Sequence, residues 1–127
     1  MDREACIEHL ARVPYVRIGF VVDGDPMVLP VNHLLHGGAV YFRAAPGSKL
    51  GSAAAGNIVV VEADEGDAQQ RVGWSVVAKG RASIVTDETE VEALHARSFE
   101  PWALPDNSSF WIRIDVQDID GRRVVRA

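Results

Sequence analysis

The sequence has little with which to build a disulfide, a membrane span or a basic surface. Its single cysteine, Cys6, excludes an internal disulfide and fits a reducing compartment. No apolar run approaches the roughly 20 residues that cross a bilayer, and the acidic N-terminus MDREACIEHL lacks the basic flank of a signal peptide. The net charge of −5 argues against broad nucleic-acid binding. We therefore expect a cytoplasmic protein without a membrane or nucleic-acid partner.

Residues for metal or nucleophilic chemistry are also scarce. His33 and His36 lie three apart, but on a strand that runs into a turn their side chains diverge, and no carboxylate joins them at ligand spacing. No serine stands in a G-x-S-x-G setting, and Cys6 has no base close to it in sequence. We predict no metal site and no catalytic side chain.

What is present is a series of alternating apolar segments, which predicts a fold that is mainly β in a single domain, 1–127. The predicted strands are YVRIGFVV, PMVLPVNHLL, AVYFRA, IVVVEADE, VGWSVVAKGRASIVT and FWIRIDV, with IDGRRVVRA as a short closing strand or tail. In the first, a half-buried strand, the alternation puts Val16, Ile18, Phe20 and Val22 on one face and Tyr15, Arg17 and Gly19 on the other. DGD and HGG are turns that join the first three strands into a meander. Gly80 predicts a bulge or corner in the long strand, and EGDAQQR is predicted to form a polar loop.

Three short helices are predicted, at 3–11, at 48–55 and after Thr86 or Asp87 as N-cap, the last ended by PWALPDNSS. The last two interrupt the series of strands and would cover the openings of a barrel. The pattern therefore favours a six- to seven-stranded antiparallel β-barrel with short helices, and a sandwich is the weaker alternative.

The segment VYFRAAPGSKLGSAAAG gathers groups that bind phosphate. Arg43 ends a strand, and Ser48 and Lys49 open a helix that Gly56 closes. A guanidinium, a hydroxyl, an ammonium and the backbone N–H groups of a helix start suit a phosphate monoester. This is not a P-loop, because Leu50 follows the lysine. An ordinary turn with a serine cap and a solvated lysine remains the alternative on local features.

The segment RVGWSVV places Trp74 and Ser75 on opposite faces of one strand. An indole beside a serine on a strand could line a site for an aromatic ligand, although core or interface packing is the more common role of such a pair. A phosphate-sized site without a catalytic constellation points to a bound cofactor that carries the chemistry.

Taken in order over roughly residues 10–123, the motifs PVN, FR-A-PGSKL, R-GWSVV-KG-A, FWIRI and GRR resemble the pyridoxamine 5′-phosphate oxidase-like flavoproteins. The resemblance implies the split-barrel fold that binds flavin mononucleotide (FMN), and a homodimer with flavin at the subunit interface. It assigns Arg43, Ser48 and Lys49 to the flavin phosphate. It places Pro30, Val31 and Asn32 along the isoalloxazine ring, and Ser75 with Trp74 at a polar flavin contact completed by the second subunit.

The resemblance also implies that Trp111 and Arg113 approach the partner's flavin. Two departures from the family stand out: Ala44 replaces a frequent phosphate-binding threonine, and GRRVVRA has no histidine with which to hold a vitamin B6 phosphate. The implied function is an FMN-dependent oxidoreductase that passes hydride or electrons to or from a small organic substrate. A deazaflavin-dependent reductase of the same fold, or a non-catalytic module that binds flavin or haem, are the alternatives.

Overall fold

The strands and helices follow the alternation of the sequence closely. A computed structural model of the protein describes residues 1–97 and 109–125. The elements are α1 (Arg3–Arg12), β1 (Tyr15–Val22), β2 (Asp25–His36), β3 (Ala39–Ala44), α2 (Lys49–Ala54), β4 (Ile58–Asp67), β5 (Val72–Ile84), α3 (Glu88–Arg97) and β6 (Phe110–Val124).

The strands form one closed antiparallel barrel in the order β1-β2-β3-β6-β5-β4, with β4 returning to pair with β1. The predicted antiparallel barrel is confirmed, with six strands. The prediction of IDGRRVVRA as a separate short strand or tail is wrong for residues 119–124, because they continue β6 without interruption. The long strand β5 pairs with β6 as far as Val124. The backbone groups at the end of β6 are therefore hydrogen-bonded to β5, although the apolar and polar side chains no longer alternate there.

The turns and the bulge lie where the sequence predicts them. Asp23 and Gly24 have φ angles of 50° and 81°, as a tight β1–β2 hairpin turn requires. The β5–β6 register shifts between Lys79 and Gly80, so the predicted bulge is confirmed. The predicted polar loop EGDAQQR is wrong in its first half, since β4 extends to Asp67.

The core lies inside the barrel and is closed at both openings by helices. Strand residues that face inward form one buried cluster, among them Val16, Ile18 and Phe42. Leu10 of α1 and Leu50 of α2 join this cluster from the two ends. The prediction that helices between strands cover the openings is confirmed for α2 and wrong for α3, and α1 closes the second opening instead. These helices exclude water from the apolar interior of the barrel.

Helix α3 packs instead on the outside of β3 and β6, over a second buried cluster of Ala39, Tyr41, Leu94 and Trp111. Its N-cap is Asp87, whose Oδ1 accepts hydrogen bonds from the backbone N–H groups of Thr89 and Glu90 at 2.8 and 3.2 Å. Of the two N-cap residues that the sequence allowed, Thr86 and Asp87, the structure therefore has Asp87. The predicted helix residues beyond Arg97 and most of the breaker PWALPDNSS lie outside the described residues.

Neither a membrane span nor a metal cluster occurs within residues 1–97 and 109–125. Each helix in these ranges is too short and too polar to cross a bilayer. The histidine, cysteine and acidic side chains in the same ranges do not gather in groups of three or more that could hold a metal ion. The absence of a metal site from the whole protein stays a prediction.

A hydrogen-bonded carboxylate fastens α3 to the barrel. The Tyr41 hydroxyl donates to Glu90 Oε2 at 2.6 Å, and Arg113 donates to the same oxygen at 3.0 Å. Burial, together with the neighbouring carboxylate, raises the pKa of Tyr41 to about 12. The hydrogen bond from Tyr41, aided by Arg113, lowers the pKa of Glu90, because both donors favour its ionised form.

Glu90→Gln is therefore expected to destabilise the protein at pH 7 by about 1–2 kcal/mol, since a hydrogen bond to a charged group becomes a neutral one. A lowered pKa means that the stabilisation is complete above the unfolded-state value near 4.3 and is lost as pH falls through the folded value. The difference in unfolding free energy between wild type and variant should thus shrink below pH 4, as measured by urea denaturation. Glu92→Gln, on an exposed position of the same helix, is the control and should show no such pH dependence. A difference in unfolding free energy that is equal at pH 7 and below pH 4 would contradict this assignment.

Candidate functional site

Three of the predicted flavin-binding residues share the outer face of the barrel. The β2–β3 ladder pairs His33 with Phe42, and both side chains are buried. One position along in this antiparallel ladder, Asn32 and Arg43 therefore lie beside each other, facing outward. Pro30 faces the same way and is exposed. The register thus brings residues from two predicted motifs into one surface.

The turn that follows Arg43 is organised by Ser48. Its backbone N–H donates to the Ala45 carbonyl at 3.2 Å, and its hydroxyl oxygen accepts from the Gly51 N–H at 3.1 Å. Ser48 is thus the N-cap of α2, as the sequence predicted, and its hydroxyl hydrogen can still be donated to a ligand. Lys49 is exposed at the first helical position.

Helix α2 is shorter than the phosphate hypothesis assumed. With six residues it has fewer than two turns, so its aligned dipoles add little to an anion site. The affinity of this surface for an anion must come mainly from the side chains of Arg43, Ser48 and Lys49. Gly51 brings the helix close to the barrel, because a Cβ at this position would lie 2.9 Å from the ring of Phe110.

Arg43 is held against an aromatic ring of the next strand. It pairs with Trp111 in the β3–β6 ladder, and its guanidinium carbon lies 5.6 Å from the centre of the indole. That distance is within the range of a cation–π interaction. Trp111 itself is only 4% exposed, packed under α3. The described structure therefore places Trp111 in the interior of its own subunit, and the implied approach of this residue to a partner's flavin remains untested.

Val31 and Trp74 do not lie on the same face as these residues. Val31 points into the barrel and packs on its core, so only its backbone is available to a ligand outside. Trp74 also packs on the core, with its ring centre 4.6 Å from that of His9, and its Nε1 donates to Glu65 at 3.1 Å. The indole thus has partners within its own chain near the opening covered by α1.

Ser75 faces outward, opposite to Trp74 as the sequence predicted, but it lies far from Arg43 in the same chain. Its neighbour on β6 is Arg122, whereas the neighbour of Arg43 on that strand is Trp111. These two β6 residues are about 35 Å apart along the strand, at ~3.3 Å per residue. Ser75 can therefore join the Arg43 surface only from a second copy of the chain.

The register also adds two residues that the motif search did not single out. Tyr15 pairs with Asn32 and Arg17 with Pro30, so both lie beside the predicted ring-binding strand. Arg17 donates to Glu62 at 2.8 Å and to Asp64 at 3.0 Å. The alternation of YVRIGFVV put these two side chains on the face opposite to the apolar one. The sequence did not show that this strand pairs with β2, so their place beside Asn32 and Pro30 could not be predicted.

The outer face next to this surface is apolar. Val21 and Val28, on the paired strands β1 and β2, are 58% and 64% exposed. Ile58 on β4 and Val77 on β5 add further exposed apolar area at 46% and 39%. Exposed valine and isoleucine side chains on four neighbouring strands are typical of a surface that contacts another protein.

The comparisons with known proteins identify the family of this chain. Residues 2–123 match the family model for pyridoxamine 5′-phosphate oxidase, which spans nearly the whole chain. The chain belongs to the pyridoxamine 5′-phosphate oxidase family. An uncharacterised protein of Mycobacterium tuberculosis is 35% identical over 130 residues, which cover 98% of this chain and 84% of that protein.

Solved structures share the split-barrel fold of this chain. The FAD binding protein from Mycobacterium smegmatis matches with a TM-score of 0.85 and 34% identity, over 98% of both chains. A protein of unknown function from Corynebacterium diphtheriae matches with a TM-score of 0.79 and 29% identity, over 98% of this chain and 95% of that one. The family and the split-barrel fold implied by the motifs are thereby confirmed.

One departure from the family motif has a structural explanation. Ala44, for which the resemblance implies a phosphate-binding threonine in relatives, is 3% exposed and packs in the barrel core. Its side chain points away from the outer face that carries Arg43. A phosphate outside the barrel would therefore be held by Arg43, Ser48 and Lys49 without a contribution from this side chain.

Proposed function

We propose that this protein binds a flavin nucleotide on its outer face and takes part in hydride or electron transfer through it. The phosphate next to the ribityl chain contacts Arg43, Ser48 and Lys49, and the ring lies along Pro30–Asn32. The observation that carries the proposal is the pairing of β2 and β3, which sets Asn32 beside Arg43 at the strand end that leads into the Ser48 turn. The 34% identity to an FAD binding protein supports it.

The donor set of this surface fits the group. A phosphate needs cationic and hydroxyl donors, which Arg43, Lys49 and Ser48 provide. A flat ring needs a smooth apolar strand with backbone polar groups, which the Pro30–Asn32 segment offers. A bound flavin supplies the redox chemistry, accepting hydride from a donor and passing it on. The protein's part is to anchor the phosphate, orient the ring and limit its exposure to water.

FMN and FAD are both candidates for the nucleotide. They share the isoalloxazine ring, the ribityl chain and the first phosphate, so the same three side chains serve either one. The motifs imply FMN, whereas the relative from Mycobacterium smegmatis is described as an FAD binding protein. FAD carries a second phosphate and adenosine, and these need an additional surface beyond the Ser48 turn.

We further propose a homodimer in which the partner completes the flavin site. Ser75 lies on the outer face but about 35 Å along β6 from the Arg43 surface, by the strand rise. Only a second copy can bring the two together. The exposed valines Val21 and Val28 would be covered in such an assembly. A monomeric mass by light scattering at flavin saturation would contradict the dimer.

A spectrum of the purified protein tests the flavin proposal. We expect the visible absorption bands of flavin to persist after the protein is mixed with FMN or with FAD and desalted. Bleaching of the bands by NADH or NADPH and their return in air would establish turnover. Retained flavin without reduction would favour the non-catalytic module. A protein that retains neither nucleotide would contradict the proposal, and titration with the deazaflavin cofactor and with haem would then test the two alternatives.

A further inference from the structure

Trp111 stands out among the residues that the proposed function does not use. It is 4% exposed, and its Nε1 has no hydrogen-bond partner among the described residues. A buried indole normally satisfies this donor. Its position is thus maintained by packing, against Leu94 in the cluster under α3 and against the ring of His95, whose centre lies 6.1 Å away at an interplanar angle of 78°.

Within residues 1–97 and 109–125, the charged group that lies over this indole is Arg43, whose guanidinium carbon is 5.6 Å from the ring centre. An arginine side chain has several freely rotating bonds. Contact with an aromatic face reduces the number of orientations that its guanidinium adopts. Arg43 and Trp111 are directly opposite each other in the β3–β6 ladder, so the contact is set by the sheet itself and not by a loop.

We propose that Trp111 is a positioning residue that orients Arg43 for the flavin phosphate. This inference depends on the proposed function, because it assigns a role within the same phosphate site. The indole restricts the guanidinium before the ligand arrives, so less rotational freedom is lost on binding. Helix α3, which packs on the indole through Leu94, thereby becomes part of the support of the site.

The test separates binding of the phosphate from binding of the ring. Dissociation constants for FMN and for riboflavin, which lacks the phosphate, are measured by quenching of flavin fluorescence in wild type, Trp111→Leu and Trp111→Phe. The expected result for Trp111→Leu is a roughly three- to tenfold weaker affinity for FMN, the size of a partly desolvated cation–π contact, with riboflavin unchanged. Trp111→Phe keeps an aromatic face, and it breaks no hydrogen bond of the described structure because the indole N–H has no partner there. This variant should therefore keep most of the wild-type affinity for FMN.

A double-mutant cycle identifies Arg43 as the mediator. In the Arg43→Gln background, Trp111→Leu should have no further effect on FMN affinity, because the group that it positions is absent. Equal losses of FMN and riboflavin affinity, or the same loss with and without Arg43, would overturn the inference and leave Trp111 as a packing residue.

Two further outcomes are distinguishable. If Trp111→Leu does not fold, as judged by circular dichroism, Trp111→Met is measured in its place, because the flexible, unbranched methionine side chain fills an irregular space without an aromatic face. If the wild-type protein binds FMN no more tightly than riboflavin, the phosphate site of the proposed function fails, and the role of Trp111 fails with it. If the wild-type protein binds FMN more tightly than riboflavin and Trp111→Leu binds FMN as tightly as the wild type does, only the positioning role is overturned.

Discussion

Gly80→Ala is expected to destabilise the folded protein by about 3 kcal/mol or more. A Cβ at this position would lie 2.1 Å from the carbonyl oxygen and 2.8 Å from the carbonyl carbon of Asp115, on the neighbouring strand β6. Both atoms belong to the backbone, so no side-chain rotation relieves the clash. Overpacking costs typically 1–3 kcal/mol, and a backbone clash at a bulge should reach at least the upper end of that range.

The change is measured by urea denaturation followed by circular dichroism. Against a typical domain stability of about 5–15 kcal/mol, a loss near 3 kcal/mol moves the unfolding midpoint clearly. Gly66→Ala is the matched control, since the nearest atom to its Cβ would be the Val72 carbonyl oxygen at an ordinary 3.6 Å. We expect the control to unfold like the wild type. Equal midpoints for the two variants would mean that the bulge between Lys79 and Gly80 relaxes without loss of stability.

Replacing both Arg43 and Lys49 by alanine is expected to remove most of the affinity for FMN while the protein stays folded. Each charge-assisted contact to the phosphate is worth about 1.5–3 kcal/mol, so loss of both should weaken binding by about a hundredfold or more. Riboflavin, which has no phosphate, should bind the variant as it binds the wild type. Fluorescence titration of both ligands and the thermal unfolding midpoint are the measurements.

A variant that loses two positive charges elsewhere controls for net charge. Arg12 and Arg71 are exposed, and Asn tolerates the positive φ of 55° at residue 71, so Arg12→Ala with Arg71→Asn is a suitable match. This control should keep its FMN affinity. The wild-type affinity should also fall as salt rises, and that dependence should be weaker in the Arg43/Lys49 variant. FMN that stays with the double variant through gel filtration would show that the phosphate is bound elsewhere.

The parts of the fold that could be predicted from the sequence are those set by short-range chemistry. The alternation of residues 15–22 assigned inner and outer faces correctly, and Asp23-Gly24 gave the hairpin turn. Ser48 capped the helix at the predicted position. In each case the deciding interactions lie within a few residues of each other, so the local sequence contains them.

The parts that could not be predicted depend on partners distant in the chain. The continuation of β6 through Gly121 follows from its pairing with β5, which no pattern inside IDGRRVV reveals. In the same way, Trp74 and Ser75 were assigned to opposite faces, but the ladder alone shows that Ser75 lies far from Arg43. The contact between Trp111 and Arg43 also arises from a register between strands that the sequence separates by the whole of β4, β5 and α3.

The candidate site shows the same division. Arg43, Ser48 and Lys49 could be recognised because a strand end, a turn and a helix start are adjacent in sequence. Tyr15 and Arg17 were missed as neighbours of the site, since their place beside Asn32 and Pro30 depends on the β1–β2 register.

The position of β6 between β3 and β5 has a consequence for synthesis on the ribosome. The first five strands emerge before β6, and without it β3 and β5 are open edges with unpaired backbone groups. Such edges recruit strands from other molecules. We expect nascent chains that stall before residue 110 to depend on chaperones, whereas release of Phe110–Val124 closes the ring and removes both edges in one step.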